Sequence, residues 1–115
     1  MAIESLGKNE IDLMILQFLS HGDMYGYQIS QNVSVRSGGK LFLNMGAMYA
    51  SLYRLKEDGC ISDYEVVSGK RRVRVYYHLE EAGQARLKEC IAEYLELQQA
   101  MNACLFSWGE DSDEQ

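Results

Sequence analysis

Residues 61–79, ISDYEVVSGKRRVRVYYHL, decide the fold. ISDYEVV is rich in β-branched and aromatic residues, SGKR supplies turn chemistry, and the segment from Arg72 to Leu79 alternates strictly. Val73, Val75, Tyr77 and Leu79 fall on one strand face, and Arg72, Arg74, Tyr76 and His78 on the other. The spacing predicts a two-stranded β-hairpin with a cationic tip and edge. Lys70, Arg71, Arg72 and Arg74 are four cations crowded into residues 70–74 with no carboxylate run beside them. They repel one another, and an external polyanion is their natural partner. The plainer alternative is a solvated basic wing.

On the N-terminal side the periodicity changes to that of helices. Asn44 is placed to cap a helix whose Met45, Met48, Leu52 and Leu55 share one face, and Gly59 stands where a helix-ending glycine usually stands. Before it, a second helix is expected from Tyr25 or Gly26 to about Val35, with Ile29 and Val33 inward, ending in RSGGK. A first helix carries Ile11, Met14, Ile15, Phe18 and Leu19, with Asn9 as its cap and Asp12 in its first turn, and HGD at 21–23 breaks it. On the C-terminal side, a proline-free segment from Glu80 to about Phe106 places Leu87, Ile91, Tyr94, Met101 and Leu105 at three- and four-residue steps, with Gln98 as the polar seam position. About 26 residues of helix reach about 39 Å. Such a helix outgrows a single small domain and predicts a second copy of the chain along its seam.

Composition bounds the rest. A chain of 115 residues with 47% apolar content is one globular domain by size. No apolar run approaches membrane-spanning length and MAIESLGKNE lacks the pattern of a secretory signal, so no membrane partner and a cytoplasmic location are expected. The net charge of −6 argues at first against nucleic acid, but residues 36–74 hold eight Lys/Arg against four Asp/Glu, while EDSDEQ at 110–115 holds four carboxylates. The local field governs binding, and the middle of the chain is its basic part. Cys60, Cys90 and Cys104 form no CxxC or His/Cys pattern and read as small buried hydrophobes. No metal or other cofactor is expected. His21 and His78 stand apart, with no catalytic set around either, so an enzyme is not expected.

The order helix, helix, helix, hairpin, long helix is that of a winged helix-turn-helix, a mainly α (α+β) fold. MYGYQI at 24–29, GAMYASLYRLKEDGCI at 46–61 and GKRRVRVYYHLEEAG at 69–83 resemble the three signature stretches of the PadR-like family of transcriptional regulators. Their pattern is a His/Tyr-Gly-Tyr start to the second helix, a Gly-x-x-Tyr recognition helix ending Arg-Leu-x-x-x-Gly, and a basic wing ending Tyr-Tyr-x-Leu-x-x-x-Gly. The resemblance spans about residues 10–106, and the length is similar to the short subfamily with a single C-terminal dimerisation helix. Ala50 replaces a frequent proline and Glu80 a frequent threonine. These departures bear on sequence preference more than on function, since neither removes a DNA-contacting charge.

The resemblance implies a homodimeric repressor on a pseudo-palindromic operator, with double-stranded DNA and a second copy of the chain as partners. Residues 1–79 are then the DNA-binding domain, 80–106 a dimerisation helix continuous with it, and 107–115 an acidic tail. Helical geometry puts Gly46, Ala47, Ala50, Tyr53 and Arg54 away from the core face of the third helix, where small residues allow a close approach to a major groove. Asn44, Lys70, Arg71, Arg72 and Arg74 join that DNA-facing set. Tyr49, whose hydroxyl the resemblance places on a phosphate, and Tyr27 at the start of the second helix each have an alternative role as a packed ring. The dimer seam comprises Leu87, Ile91, Tyr94, Gln98, Met101 and Leu105. In multidrug-sensing members an aromatic near the position of Tyr94 stacks on flat ligands, which implies a planar aromatic effector near Met14, Tyr94 and Met101; the alternative is that these side chains are ordinary dimer packing. The competing reading is a winged-helix protein-interaction module kept off DNA by its acidic charge.

Overall fold

The computed structural model describes residues 6–108. Helix α1 (Lys8–Leu19) is followed by strand β1 (Met24–Tyr25), α2 (Gly26–Arg36), α3 (Met45–Glu57), β2 (Ile61–Ser68), β3 (Arg72–Leu79) and α4 (Glu81–Phe106). The antiparallel sheet has the order β1-β3-β2. The expected hairpin is there, with Gly69 in the left-handed region (φ 69°) at its turn. A third strand, β1, joins it where the sequence suggested only the start of α2. Two residues are too few for any periodicity to reveal, and pairing with Tyr76 and Tyr77 makes them a strand.

Local chemistry sets the helix ends. Asn44 caps α3 as expected, its Oδ1 accepting the Ala47 N–H at 2.9 Å. The helix closes with Gly59 at φ 77°, the Gly59 N–H donating to the Lys56 carbonyl and the Cys60 N–H to that of Leu55. The cap of α1 is a correction. Gly7, not Asn9, is the N-cap, and its N–H donates to Glu10 Oε1 at 2.7 Å. Asn9 lies inside the helix.

The core gathers Ile11, Ile15, Leu16 and Leu19 of α1, Ile29 and Val33 of α2, and Met48, Leu52 and Leu55 of α3. Tyr77, Leu79 and Leu87 close it from the sheet and α4. Leu16 is fully buried although the sequence pattern passed it over, whereas Met14 and Phe18 are only half-buried at its margin. Met45 does not share the buried face of α3. It is largely exposed, because the helix's first turn precedes the point where α3 meets the core. On β3 the predicted inward face is buried only at Tyr77 and Leu79. Val73 and Val75 lie beyond the core on the distal half of the hairpin.

Helix α4 is anchored by its first two turns. Gly83 lies on the backbone of Cys60, where a β-carbon would overlap the Cys60 carbonyl, and Leu87 is 9% exposed in the core. Leu87, expected on the seam, packs in the chain's own core. From Ile91 to Phe106 α4 continues for about 24 Å, in a molecule whose described residues extend 70 × 33 × 21 Å. Cys60 is buried and Cys90 half-buried, and burial pushes both thiols up. Cys104, expected to be buried as well, is exposed on the projecting part of α4. Among the described residues no helix is long and apolar enough to cross a membrane. The acidic stretch 110–115 lies outside the described residues.

Candidate nucleic-acid interface

The outward side of α3 is built as helical geometry requires. Met48, Ser51, Leu52 and Leu55 are buried, and Asn44, Met45, Gly46, Tyr49, Ala50 and Tyr53 are exposed, with Ala47 half-buried at the edge. The surface is small at Gly46 and Ala50 and flanked by aromatic rings. Tyr49 sits at its border with about half its surface exposed, and its hydroxyl rests on Gly26, the first residue of α2. A β-carbon at Gly26 would collide with it. The glycine of the Tyr-Gly-Tyr stretch thus lets a ring from α3 close against the start of α2. Tyr27, one residue on, is exposed and its hydroxyl accepts a hydrogen bond from Gln31. Gln28 Oε1 accepts the Tyr25 N–H at 3.1 Å and fixes the chain's entry into α2.

Lys70, Arg71 and Arg72 are exposed at the hairpin tip, with no carboxylate in ion-pair contact among the described residues. Arg74, two residues along β3 from the tip, is half-buried, its guanidinium 4.5 Å from the centroid of the Tyr25 ring. Contacts therefore run from Tyr49 of α3 to Gly26, through Tyr25, to Arg74 of β3. They tie the outer side of α3, the start of α2 and the wing into one continuous surface.

Arg54 stands elsewhere. Its guanidinium meets Asp12 Oδ1 of α1 at 2.7 Å and Ser51 Oγ at 3.1 Å, and the Asp12 side chain is only 11% exposed. Helical geometry put Arg54 away from the apolar stripe, but the flank it occupies is covered by α1. The Asp12 carboxylate pairs with the cation, whose side chain stays partly exposed. Lys56, which sequence reasoning left aside, pairs with Asp63 of β2 at 3.0 Å.

On the outer face of the sheet Asp23 binds two strands at once. Its Oδ2 accepts from the Tyr64 hydroxyl at 2.6 Å and its Oδ1 meets His78 Nδ1 at 2.8 Å. The Tyr64 hydrogen bond, seconded by His78, holds the Asp23 carboxyl below its ordinary range. The same carboxylate pushes the Tyr64 phenol and the His78 imidazole up. No sequence signal joins positions 23, 64 and 78.

Beyond the core, α4 exposes Ile91, Tyr94, Leu95, Leu97, Met101, Leu105 and Phe106, a stripe broader than the narrow seam expected, since Leu95 and Leu97 extend it on both sides. Tyr94 and Leu97 also line a cavity of about 280 Å³ against the first turns of α1, with Leu13, Asp12, Arg54 and Arg86 among its walls. Met14 and Met101 are not part of that cavity, so one chain does not bring the three expected effector residues together.

Two comparisons with solved structures extend beyond shape. A PadR family transcription regulator from Clostridium difficile is 32% identical with a TM-score of 0.71, over 83% of this chain and 97% of that one. A transcriptional regulator from Clostridium thermocellum is 26% identical with a TM-score of 0.78, over 85% and 92%. PadR from Bacillus subtilis, solved in complex with operator DNA, shares the fold at 22% identity and a TM-score of 0.66, over 71% of this chain and 46% of its own. The profile of the Transcriptional regulator PadR-like family matches residues 15–89, which run from the middle of α1 through the wing to the third turn of α4. The chain with this α3 surface, this cationic wing and this long last helix belongs to the PadR-like family of transcriptional regulators.

Proposed function

We propose that the chain is a sequence-specific DNA-binding repressor that acts as a homodimer on a pseudo-palindromic operator. The observation that carries this reading is the joined surface of α3 and wing, small and neutral at Gly46 and Ala50, cationic at residues 70–74, and linked through Tyr49, Gly26, Tyr25 and Arg74. Gly46 and Ala50 leave room for α3 to approach the major-groove floor, where the methyls of Ala47 and Ala50 meet thymine methyls. Asn44, Tyr27 and Tyr49 offer amide and hydroxyl groups to the sugar–phosphate backbone, which sets position more than sequence. Lys70, Arg71, Arg72 and Arg74 supply the salt-sensitive part of the affinity. Arg54 is a brace between α1 and α3 in this account, not a DNA contact. The operator complex of the Bacillus subtilis relative supports the assignment, and family membership brings it to this chain.

Residues 80–106 are assigned to dimerisation through Ile91, Tyr94, Gln98, Met101 and Leu105, together with Leu95 and Leu97. An apolar stripe of this extent on a helix leaving its own core calls for a partner surface. Two-fold pairing sets the half-sites about 10 or 20 base pairs apart. A planar aromatic effector is assigned to the seam at Tyr94 and Met101, without Met14, whose side chain belongs to the margin of the core.

Selection from a random duplex pool, with sedimentation of the same protein, tests the reading. The expected outcome is a dimer at micromolar concentration that enriches an inverted repeat. A monomer, or enrichment of a single unrepeated site, overturns the dimeric reading. Enrichment of no duplex at all favours the protein-interaction module.

A further inference from the structure

The wing cations are not equivalent. Lys70, Arg71 and Arg72 stand at the tip, whereas Arg74 shares its strand face with Tyr76, which pairs directly with Tyr25 of β1. Tyr25 is thus the diagonal cross-strand neighbour of Arg74, close enough for a long side chain to reach. Its ring meets that of Tyr76 edge-on, with centroids 5.3 Å apart and planes at 64°. Tyr76 stacks on Tyr64 at 5.8 Å and 16°, and Tyr64 is tied by its hydroxyl to Asp23. The Arg74 guanidinium therefore lies on one end of a braced row of three rings, within the range of a cation–π contact. This anchor differs in kind from the one that holds Arg54. Asp12 neutralises its arginine, but a ring orients a guanidinium and leaves both its charge and its N–H edge for an anion.

We propose that Tyr25 is a positioning residue for DNA binding: its ring pre-orients Arg74 on the distal half of the wing, so that this cation meets a phosphate already in place. The proposal rests on the DNA-binding reading above.

The experiment measures duplex affinity against salt for wild type, Tyr25→Phe, Tyr25→Leu, Arg74→Ala, Arg74→Lys and Tyr25→Leu/Arg74→Ala. Tyr25→Leu is expected to lose roughly fivefold in affinity, consistent with a partly exposed cation–π contact in each protomer. Its salt slope stays near that of wild type because the charge remains. Tyr25→Phe binds within about twofold of wild type, and in the Arg74→Ala background Tyr25→Leu costs nothing further. Arg74→Ala flattens the slope by about one per protomer. Arg74→Lys keeps the charge and the fold yet loses affinity as Tyr25→Leu does, which tests the idea even where Tyr25→Leu fails to fold. Additive losses in the double variant, a Tyr25→Phe loss as large as that of Tyr25→Leu, or wild-type affinity in Arg74→Lys would each overturn the positioning role with DNA binding intact. A wild-type protein without salt-sensitive duplex binding overturns the reading beneath it instead.

Discussion

The outer side of α3 and the projecting half of α4 are both helical surfaces left outside the core, and they are made of opposite materials. On α3 the exposed residues include Gly46 and Ala50, and the neighbouring wing brings four cations within residues 70–74. On α4, residues 91–106 contain no Lys or Arg and expose a row of large apolar side chains ending in Phe106 at 77% exposure. A small, neutral helix surface beside cations costs little to keep in water and suits a hydrated polyanion. A broad apolar stripe costs about 25 cal/mol for each Å² left wet, so burial against a second apolar surface stabilises it. Under the proposed function, the difference separates the surface assigned to DNA from the surface assigned to a second copy of the chain.

Breaking α4 should have the largest effect. Met101→Glu with Leu105→Glu places four carboxylates in a two-fold seam, and dimer and operator affinity should fall by about a hundredfold or more, as loss of central interface anchors does. Sedimentation and mobility shift check this, and an unaltered dimer would remove α4 from the interface. Replacing Arg71, Arg72 and Arg74 by Ala comes next. Specific and non-specific affinity should fall together by roughly tenfold or more and the log K against log salt slope should flatten, while circular dichroism and the unfolding midpoint hold.

The contrast between neutralised and unneutralised arginines predicts a smaller, different effect at Arg54. Arg54→Ala strands the nearly buried Asp12, so stability should fall by about 1–3 kcal/mol while the salt slope of DNA binding stays unchanged. Denaturant unfolding and a salt titration of one variant separate these outcomes. A flattened slope would return Arg54 to the interface. The smallest effect concerns His78 and Asp23. His78 titrates higher in the folded chain, so its share of stability is present below about pH 6.5 and is lost as pH rises through the raised value. Asp23 titrates lower, so its share is present above about pH 4 and is lost as pH falls through the depressed value. The gap in unfolding midpoint between wild type and His78→Gln should be widest near about pH 5–6 and close as pH rises through the raised His78 value. A gap independent of pH would show that the pair carries no such linkage.

Much of the fold was legible because its signals are local. Asn44 and Gly59 bracket α3 through hydrogen bonds within three to five residues of themselves, and the last helix ends at Phe106 where its periodicity does. What the sequence left hidden depended on distance along the chain. Asp12 lies 42 positions from Arg54, so no helical wheel of α3 could reveal that its arginine is occupied. The alternation of β3 distinguishes two faces but not where the core beneath one of them stops, which is why Val73 and Val75 are exposed while Tyr77 is buried. Leu87 continues the α4 stripe without a break in spacing, and only the packing of Gly83 on Cys60 shows that the helix is still inside its own domain there. For the candidate site, residue types were readable and linkages were not. The basic run of 70–74 is plain in the sequence, but the Tyr25 ring under Arg74 required the register of β1 on β3.

The most direct test of the whole account is the salt dependence of duplex affinity for the unaltered protein. Lys70, Arg71, Arg72 and Arg74 from two protomers can displace up to about eight counterions, which predicts a steep linear fall of log K with log salt, with a slope approaching about −7. A shallow or absent slope, in a protein that sediments as a folded dimer, would contradict the claim that the wing and α3 form a DNA-binding surface.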